Sequence, residues 1–262
     1  MLAVAQQQTF HYPDMDFELD GATLHYERRG DGRPLLLLHG GTGVADDWKH
    51  VFPEPPAGFE LIAPDLRGHG RSGNPKGAFT IGQIADDVLA LLEHLSIGRC
   101  DAIGMSLGAK ALLHAASKRP EVIGAMVLVS GAAYFPESAR RIMAQMSPDA
   151  YDDEQLDAMR EKHVLGDEQI FALWRQMHAF KDSYTDLNFT PPLLARIKAR
   201  TLIVHGDRDP LYPLSMAVEL YESIPDAQLW VVPGGGHVPV FGSIGPEFVR
   251  LATEFLAPAV ER

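Results

Sequence analysis

The sequence predicts an α/β protein: a mostly parallel sheet flanked by helices and interrupted once by a helical insertion. Three observations carry this. Short apolar runs alternate with helix-period segments, the pattern of βα units. Two β-like runs around Asp20-Gly21 precede them, and Asp-Gly between such runs is a strong hairpin signal. Residues 134–195 hold helical patterns and no strand-like run.

Taken in order, the hairpin lies in "MDFELDGATLHYERRGDG". "RPLLLLHGG" (Arg33–Gly41) follows, its four leucines spelling a strand buried on both faces. "FELIAPDLRGHG" (Phe59–Gly70) ends an apolar run in a Pro/Gly-rich loop. "RCDAIG" ends at Gly104, "AMVLVSG" at Gly131, "ARTLIVHGDRD" at Asp209 and "AQLWVVPGGGH" at His237, which makes an eight-stranded sheet. Between strands, "IGQIADDVLALLEHL" (Ile81–Leu95) gathers Ile84, Val88, Leu91, Leu92 and Leu95 on one helical face. "GPEFVRLATEFL" places Pro246 near a helix N-terminus. The insertion reads as helices at Pro136–Met146, Asp152–Val164 and Asp167–Phe180. It forms a cap on a core built from residues 1–133 and 196–262.

Composition narrows the function. The 262 residues suffice for one large domain, with 46% apolar and 22% charged residues. With 23 Lys and Arg against 35 Asp and Glu, the net charge of −12 argues against nucleic acid or an anionic membrane surface as partner. The single cysteine, Cys100, has no internal partner and reads as a core residue. "MLAVAQQQTFHYPDMDF" has neither the basic nor the apolar region of a signal peptide, and no apolar stretch is long enough to span a bilayer. A soluble, cytoplasmic protein is expected.

The chemistry centres on Gly104-Met105-Ser106-Leu107-Gly108. A serine on a sharp strand-to-helix turn takes a strained conformation, and side chains two residues to either side would collide with neighbouring backbone. Such a turn lifts the hydroxyl above the carboxyl edge of the sheet, where open α/β sheets bind ligands. It also puts the Leu107 N–H at a helix start, aimed at a developing oxyanion.

With these residues the chain resembles the α/β-hydrolase superfamily over nearly its whole length. "LLLLHGGTG" is similar to the family's oxyanion loop, "DLRGHGRS" (Asp65–Ser72) to the loop after the fourth strand, and "GMSLG" to the nucleophile elbow. "HGDRD" and "GGGH" are similar to the acid and histidine loops, and the order serine, aspartate, histidine is the family's. The resemblance implies an eight-stranded α/β-hydrolase fold with a catalytic triad of Ser106, Asp209 and His237. A serine hydroxyl needs a base in reach, and His237, after a strand and three glycines, suits a loop reaching back to it. Of the two acids in "HGDRDP", the family pattern selects Asp209 and leaves Asp207 a loop carboxylate. The oxyanion donors implied are the backbone N–H groups of Gly41 and Leu107. His39, His69 and His205 are expected to be structural, and Ser72 and Ser130 to be turn residues. No cofactor or metal is expected.

The cap's helical face of Ile170, Trp174 and Met177 either packs the cap onto the core or lines an acyl pocket, with Trp174, Met177 and Arg175 as pocket candidates. The expected activity is hydrolysis of a small or medium carboxylic ester, a small-molecule substrate, through an acyl-enzyme. The alternatives are hydrolysis of carbon–carbon bonds in ring-cleavage products, and lactone hydrolysis or perhydrolysis; a hydrolase-fold receptor without turnover is a third class. Ring-cleavage relatives usually carry tryptophan after the catalytic histidine, where this chain has Val238. Arg175 would be the residue to bind such a substrate's carboxylate.

Overall fold

Leu35 to Leu38 alternate between two apolar layers, Leu36 and Leu38 facing one and Leu35 and Leu37 the other, and all four are buried. A strand covered on both faces needs apolar residues at every position, which is why this run shows no polar alternation. In the computed structural model, which describes residues 14–19, 21–147 and 150–257, it is the third strand of an eight-stranded sheet.

The strands are β1 (Asp14–Leu19), β2 (Ala22–Gly30), β3 (Arg33–Leu38), β4 (Phe59–Pro64), β5 (Cys100–Met105), β6 (Ile123–Val129), β7 (Arg200–Gly206) and β8 (Ala227–Val232). Their spatial order is β1-β2-β4-β3-β5-β6-β7-β8. β1 pairs antiparallel with β2, and β2 antiparallel with β4; every later pairing is parallel. The hairpin expected at Asp20-Gly21 is seen as the Leu19–Ala22 register, with Gly21 at φ 73°; Asp20 itself lies outside the described residues. So do residues 1–13, the larger part of the segment read above for a signal peptide.

Helices α1 (Ile81–His94), α2 (Leu107–Lys118) and α7 (Leu214–Ser223) contribute to one apolar layer, and α8 (Gly245–Leu256) to the other. The face of α1 expected from its periodicity is buried at Ile84, Val88, Leu91 and Leu92. Cys100 is buried in the first layer, where burial pushes its thiol up to about 12. Among the described residues no helix is long and apolar enough to cross a membrane.

Between β6 and β7 the chain forms α3 (Glu137–Met143), α4 (Asp153–Lys162), α5 (Asp167–Ala179) and the single turn α6 (Pro191–Leu194). The first three match the expected helices, shortened at one or both ends. The Pro-Pro start of α6 gave no helical period to read. A bridge between Tyr134 and Asn188, with Phe189 N donating to Ala133 O at 2.9 Å, closes the base of this insertion. Arg140 holds it further, donating to the carbonyls of Phe135 and Ser183 at 2.9 and 2.8 Å. The cap is tied to the core by buried and half-buried polar contacts. The Asp186 carboxylate accepts the Ile81 and Gly82 N–H groups at the start of α1, and Gln176 Oε1 accepts the Phe79 N–H at 3.0 Å. An acid at a helix N-terminus satisfies donors the helix itself leaves unpaired.

Candidate active site

Three loops at the carboxyl edge of the sheet converge here. Ser106 links β5 to α2 with φ 48° and ψ −100°, a strained conformation for a residue with a side chain. The flanking glycines explain how the turn is possible. A Cβ at Gly104 would lie 2.6 Å from the Gly108 carbonyl carbon, and one at Gly108 would lie 2.3 Å from Leu38 O. Both contacts are with backbone, so only glycine fits. Ser106 N is fixed by donating to Val129 O at 2.8 Å.

The side chains meet as the motif order implies. Ser106 Oγ lies 2.8 Å from His237 Nε2, and His237 Nδ1 lies 2.7 Å from Asp209 Oδ2. Asp209 is fully enclosed and also accepts the N–H groups of Leu211 and Tyr212 on its Oδ1, at 2.9 and 3.1 Å. Burial alone would raise its pKa; the hydrogen bonds from His237, Tyr212 and Leu211 outweigh burial and hold the carboxyl below its usual range. An ionised Asp209 therefore fixes the Nδ1–H tautomer of His237 and leaves Nε2 to accept the serine proton. Asp207 faces elsewhere: its Oδ1 accepts the Gly234 N–H at 2.6 Å and braces the turn before His237.

The loop after β3 runs beside the serine. A Cβ on Gly40 would lie 3.6 Å from Ser106 Cβ. Leu107 opens α2, so its N–H has no acceptor within the helix and sits at the positive end of the helix dipole. Gly41 lies under the cap, where an added Cβ would come within 2.9 Å of Met177 Sδ. His39 shapes this loop from below: Nδ1 donates to Gly40 O at 2.7 Å and Nε2 accepts the Leu66 N–H at 2.9 Å. Accepting the Leu66 N–H requires a neutral ring, and burial holds its pKa low. His69 is likewise buried and donates to Arg67 O at 3.0 Å. His205 donates to Tyr212 O at 2.8 Å, a structural role as expected.

Of the three cap residues, one reaches the site. Met177 is the residue against Gly41. Trp174 is buried within the cap, stacked on Tyr151 with centroids 4.0 Å apart and planes 6° from parallel. Arg175 is exposed and pairs with Glu168, which removes it from the pocket. The helix period gives the reason: Ile170, Leu173, Trp174 and Met177 make the buried face of α5, and a residue one step past Trp174 points outward.

Sequence reasoning missed three residues. Ser130, read as a turn residue, ends β6 at φ 49°, and its Oγ accepts the Val238 N–H at 3.0 Å, fixing the residue after His237. Tyr212 is buried with its ring 5.5 Å from that of His237. Lys110, one helical turn beyond Ser106, is buried with Nζ 3.5 Å from Ser106 Oγ. Only Lys110 left a signal in the sequence: one lysine inside the otherwise apolar run "LGAKALL".

The family model for the alpha/beta hydrolase family matches residues 35–249. The chain is 26% identical over 270 residues to a 2-hydroxy-6-oxo-6-phenylhexa-2,4-dienoate hydrolase of Burkholderia cepacia, covering 91% of this chain and 93% of that protein. It is 30% identical over 248 residues to the serine hydrolase BPHL of Mus musculus, covering 91% and 84%. Among solved structures, a thermophilic esterase from Thermogutta terrifontis is similar with a TM-score of 0.74 at 23% identity, covering 93% of this chain and 98% of that one. The family match takes in the strands from β3 onward, the elbow and the inserted helices, and this chain belongs to the alpha/beta hydrolase family and is a hydrolase.

Proposed function

We propose that the protein is a serine hydrolase that cleaves small or medium carboxylic esters through an acyl-enzyme on Ser106. The observation that carries this is the unbroken chain from Ser106 Oγ through His237 to the buried Asp209, with links of 2.8 and 2.7 Å. Ser106 Oγ attacks the ester carbonyl carbon while His237 Nε2 takes its proton. The carbonyl oxygen gains charge and is held by the N–H groups of Leu107 and Gly41. As the tetrahedral species collapses, His237 returns the proton to the leaving alkoxide. Water, deprotonated by His237, then attacks the acyl carbon, and Ser106 Oγ leaves with the proton from His237. Met177 against Gly41 places an apolar side chain beside the loop that follows β3.

A second reading is cleavage of a carbon–carbon bond beside a ketone. Its support is the similarity to the Burkholderia cepacia dienoate hydrolase over nearly the full length. Against it stand Val238 in the place of a tryptophan and the pairing of Arg175 with Glu168, which leaves that arginine no part in holding a substrate carboxylate. Turnover of p-nitrophenyl esters from acetate to octanoate, run beside one ring-cleavage diketone, separates the two. Turnover of the small or medium esters and none of the diketone is expected; a diketone kcat/KM above that of every ester overturns the ester assignment.

A further inference from the structure

The buried face of α2 is built from small and apolar residues: Leu107, Ala109, Ala111, Leu112, Leu113, Ala115 and Ala116. Lys110 stands among them with 2% of its surface exposed. Packing alone does not ask for an amine there, since a buried amine without a carboxylate partner costs stability that methionine or leucine would not. Among the described residues Lys110 makes no ion pair. Its surroundings are the face of the Tyr212 ring at 4.4 Å, the Phe135 ring at 5.9 Å and one hydrogen-bonding atom, Ser106 Oγ, at 3.5 Å.

The position follows from the helix. Residues four apart lie one above the other, and side chains lean back toward the N-terminus. Lys110 therefore runs along α2 to the serine that caps it, its Nζ 3.5 Å from the oxygen that lies 2.8 Å from His237 Nε2. Catalytic hydrogen bonds are often long before substrate binds and shorten afterwards.

A serine hydroxyl has one proton to donate and lone pairs to accept. His237 gives its Nδ1–H to Asp209, so its Nε2 takes the serine proton. An N–H from Lys110 on the oxygen's lone pair leaves the hydroxyl proton the direction of His237. We propose that Lys110 is a further catalytic residue, its Nζ–H donating to Ser106 Oγ so that the hydroxyl proton faces His237 and the oxygen is stabilised as that proton leaves. This rests on Ser106 being the nucleophile. In the step, the proton passes from Oγ to His237 Nε2. The Oγ electron pair forms the bond to the carbonyl carbon, the carbonyl π pair moves to its oxygen, and Lys110 keeps all its protons. Burial lowers the pKa of Lys110 to about 7 against the opposing pull of Asp209. An N–H is available in both protonation states, and the ammonium is the stronger donor.

The test is the rate of covalent labelling by a fluorophosphonate, which reads attack by the serine without deacylation, in the wild type, Lys110→Met and Lys110→Leu. Both replacements are apolar and near the original volume, so thermal midpoints equal to or above the wild type are expected. The labelling rate constant is expected to fall about tenfold to hundredfold, at or below the roughly 10²–10³ seen when one oxyanion donor is lost. The label should stay on Ser106, and kcat/KM for a short p-nitrophenyl ester should fall by a similar factor. Rate constants within about threefold of wild type in the folded variants overturn the role of Lys110. A slower rate that comes with a lowered thermal midpoint overturns it too, since that pattern marks a disturbed pocket. A wild-type protein that carries no label on Ser106 overturns the nucleophile assignment instead.

Discussion

His237 Nδ1 lies 2.7 Å from Asp209 Oδ2, while Asp207, two residues earlier, gives its Oδ1 to the Gly234 N–H at 2.6 Å. Two carboxylates of one short loop therefore have separate tasks: one holds the imidazole, the other holds the turn that delivers it.

Replacing each acid by its amide distinguishes the tasks. Asp209→Asn keeps the shape but favours the wrong imidazole tautomer and no longer stabilises the imidazolium, so kcat should fall by about 10²–10⁴, as in the serine-protease triad. Asp207→Asn keeps an oxygen to accept the Gly234 N–H, and a loss under about tenfold is expected because surface loop changes are mild. Ester turnover, with thermal midpoints measured alongside, checks both. A severe loss in Asp207→Asn with an active Asp209→Asn reverses the assignment.

The cap should be acid-sensitive through His163, which follows α4. Its Nδ1 accepts the Gly70 N–H at 2.9 Å and its Nε2 donates to Thr42 O at 3.1 Å, pinning the cap to two core loops. The bond from Gly70 needs the neutral ring, and burial lowers its pKa to about 4. The folded value lies below the unfolded one, so this contribution is complete above roughly pH 6.5 and is lost as pH falls through about 4. His163→Ala should cost about 1–3 kcal/mol at pH 7, the range for stranding buried polar partners. It should also flatten part of the stability loss between pH 6.5 and 4. His39, His69 and His114, whose rings burial also holds neutral, contribute to the rest. Urea denaturation at pH 7, 5.5 and 4 measures this; an unchanged pH dependence in the variant would remove His163 from the account.

Much of this was legible before the structure. The apolar runs gave strands because their lengths and Gly/Pro boundaries left little else, and the order of motifs brought Ser106, Asp209 and His237 together. What escaped reading was whatever depends on which way a side chain turns. Arg175 and Met177 stand two residues apart on α5, and only the helix phase sends one to solvent and the other to Gly41. Ser130 looked like a turn because its partner, the Val238 N–H, is 108 residues away. A contact of that range has no local pattern.

Ser130→Ala tests that contact. The Val238 N–H loses its acceptor, and Val238 is held at φ 55°, a conformation a β-branched residue adopts only under constraint. The expected result is a loss of roughly tenfold in kcat from a misplaced His237, in line with about 1.4 kcal/mol per factor of ten. The thermal midpoint should fall by only a few degrees. Activity within twofold of wild type would show that His237 needs no such support.

The elbow glycines should resist even one added carbon. In Gly104→Ala and Gly108→Ala the new Cβ would meet backbone at 2.6 and 2.3 Å, so losses of at least about 1–3 kcal/mol are expected from overpacking. Gly98→Ala is the control, with nothing within 4 Å of its added Cβ. Chemical denaturation of the three variants checks the contrast. Equal stability in all three would mean that the elbow has room.

The most direct test of the acyl-enzyme on Ser106 is mass spectrometry of protein quenched in acid during turnover of a slowly deacylating ester. The account predicts an increment equal to the acyl group on the peptide that contains Ser106, absent from Ser106→Ala, which should also have lost ester turnover. An acyl group found on another residue, or wild-type turnover in a folded Ser106→Ala variant, would contradict it.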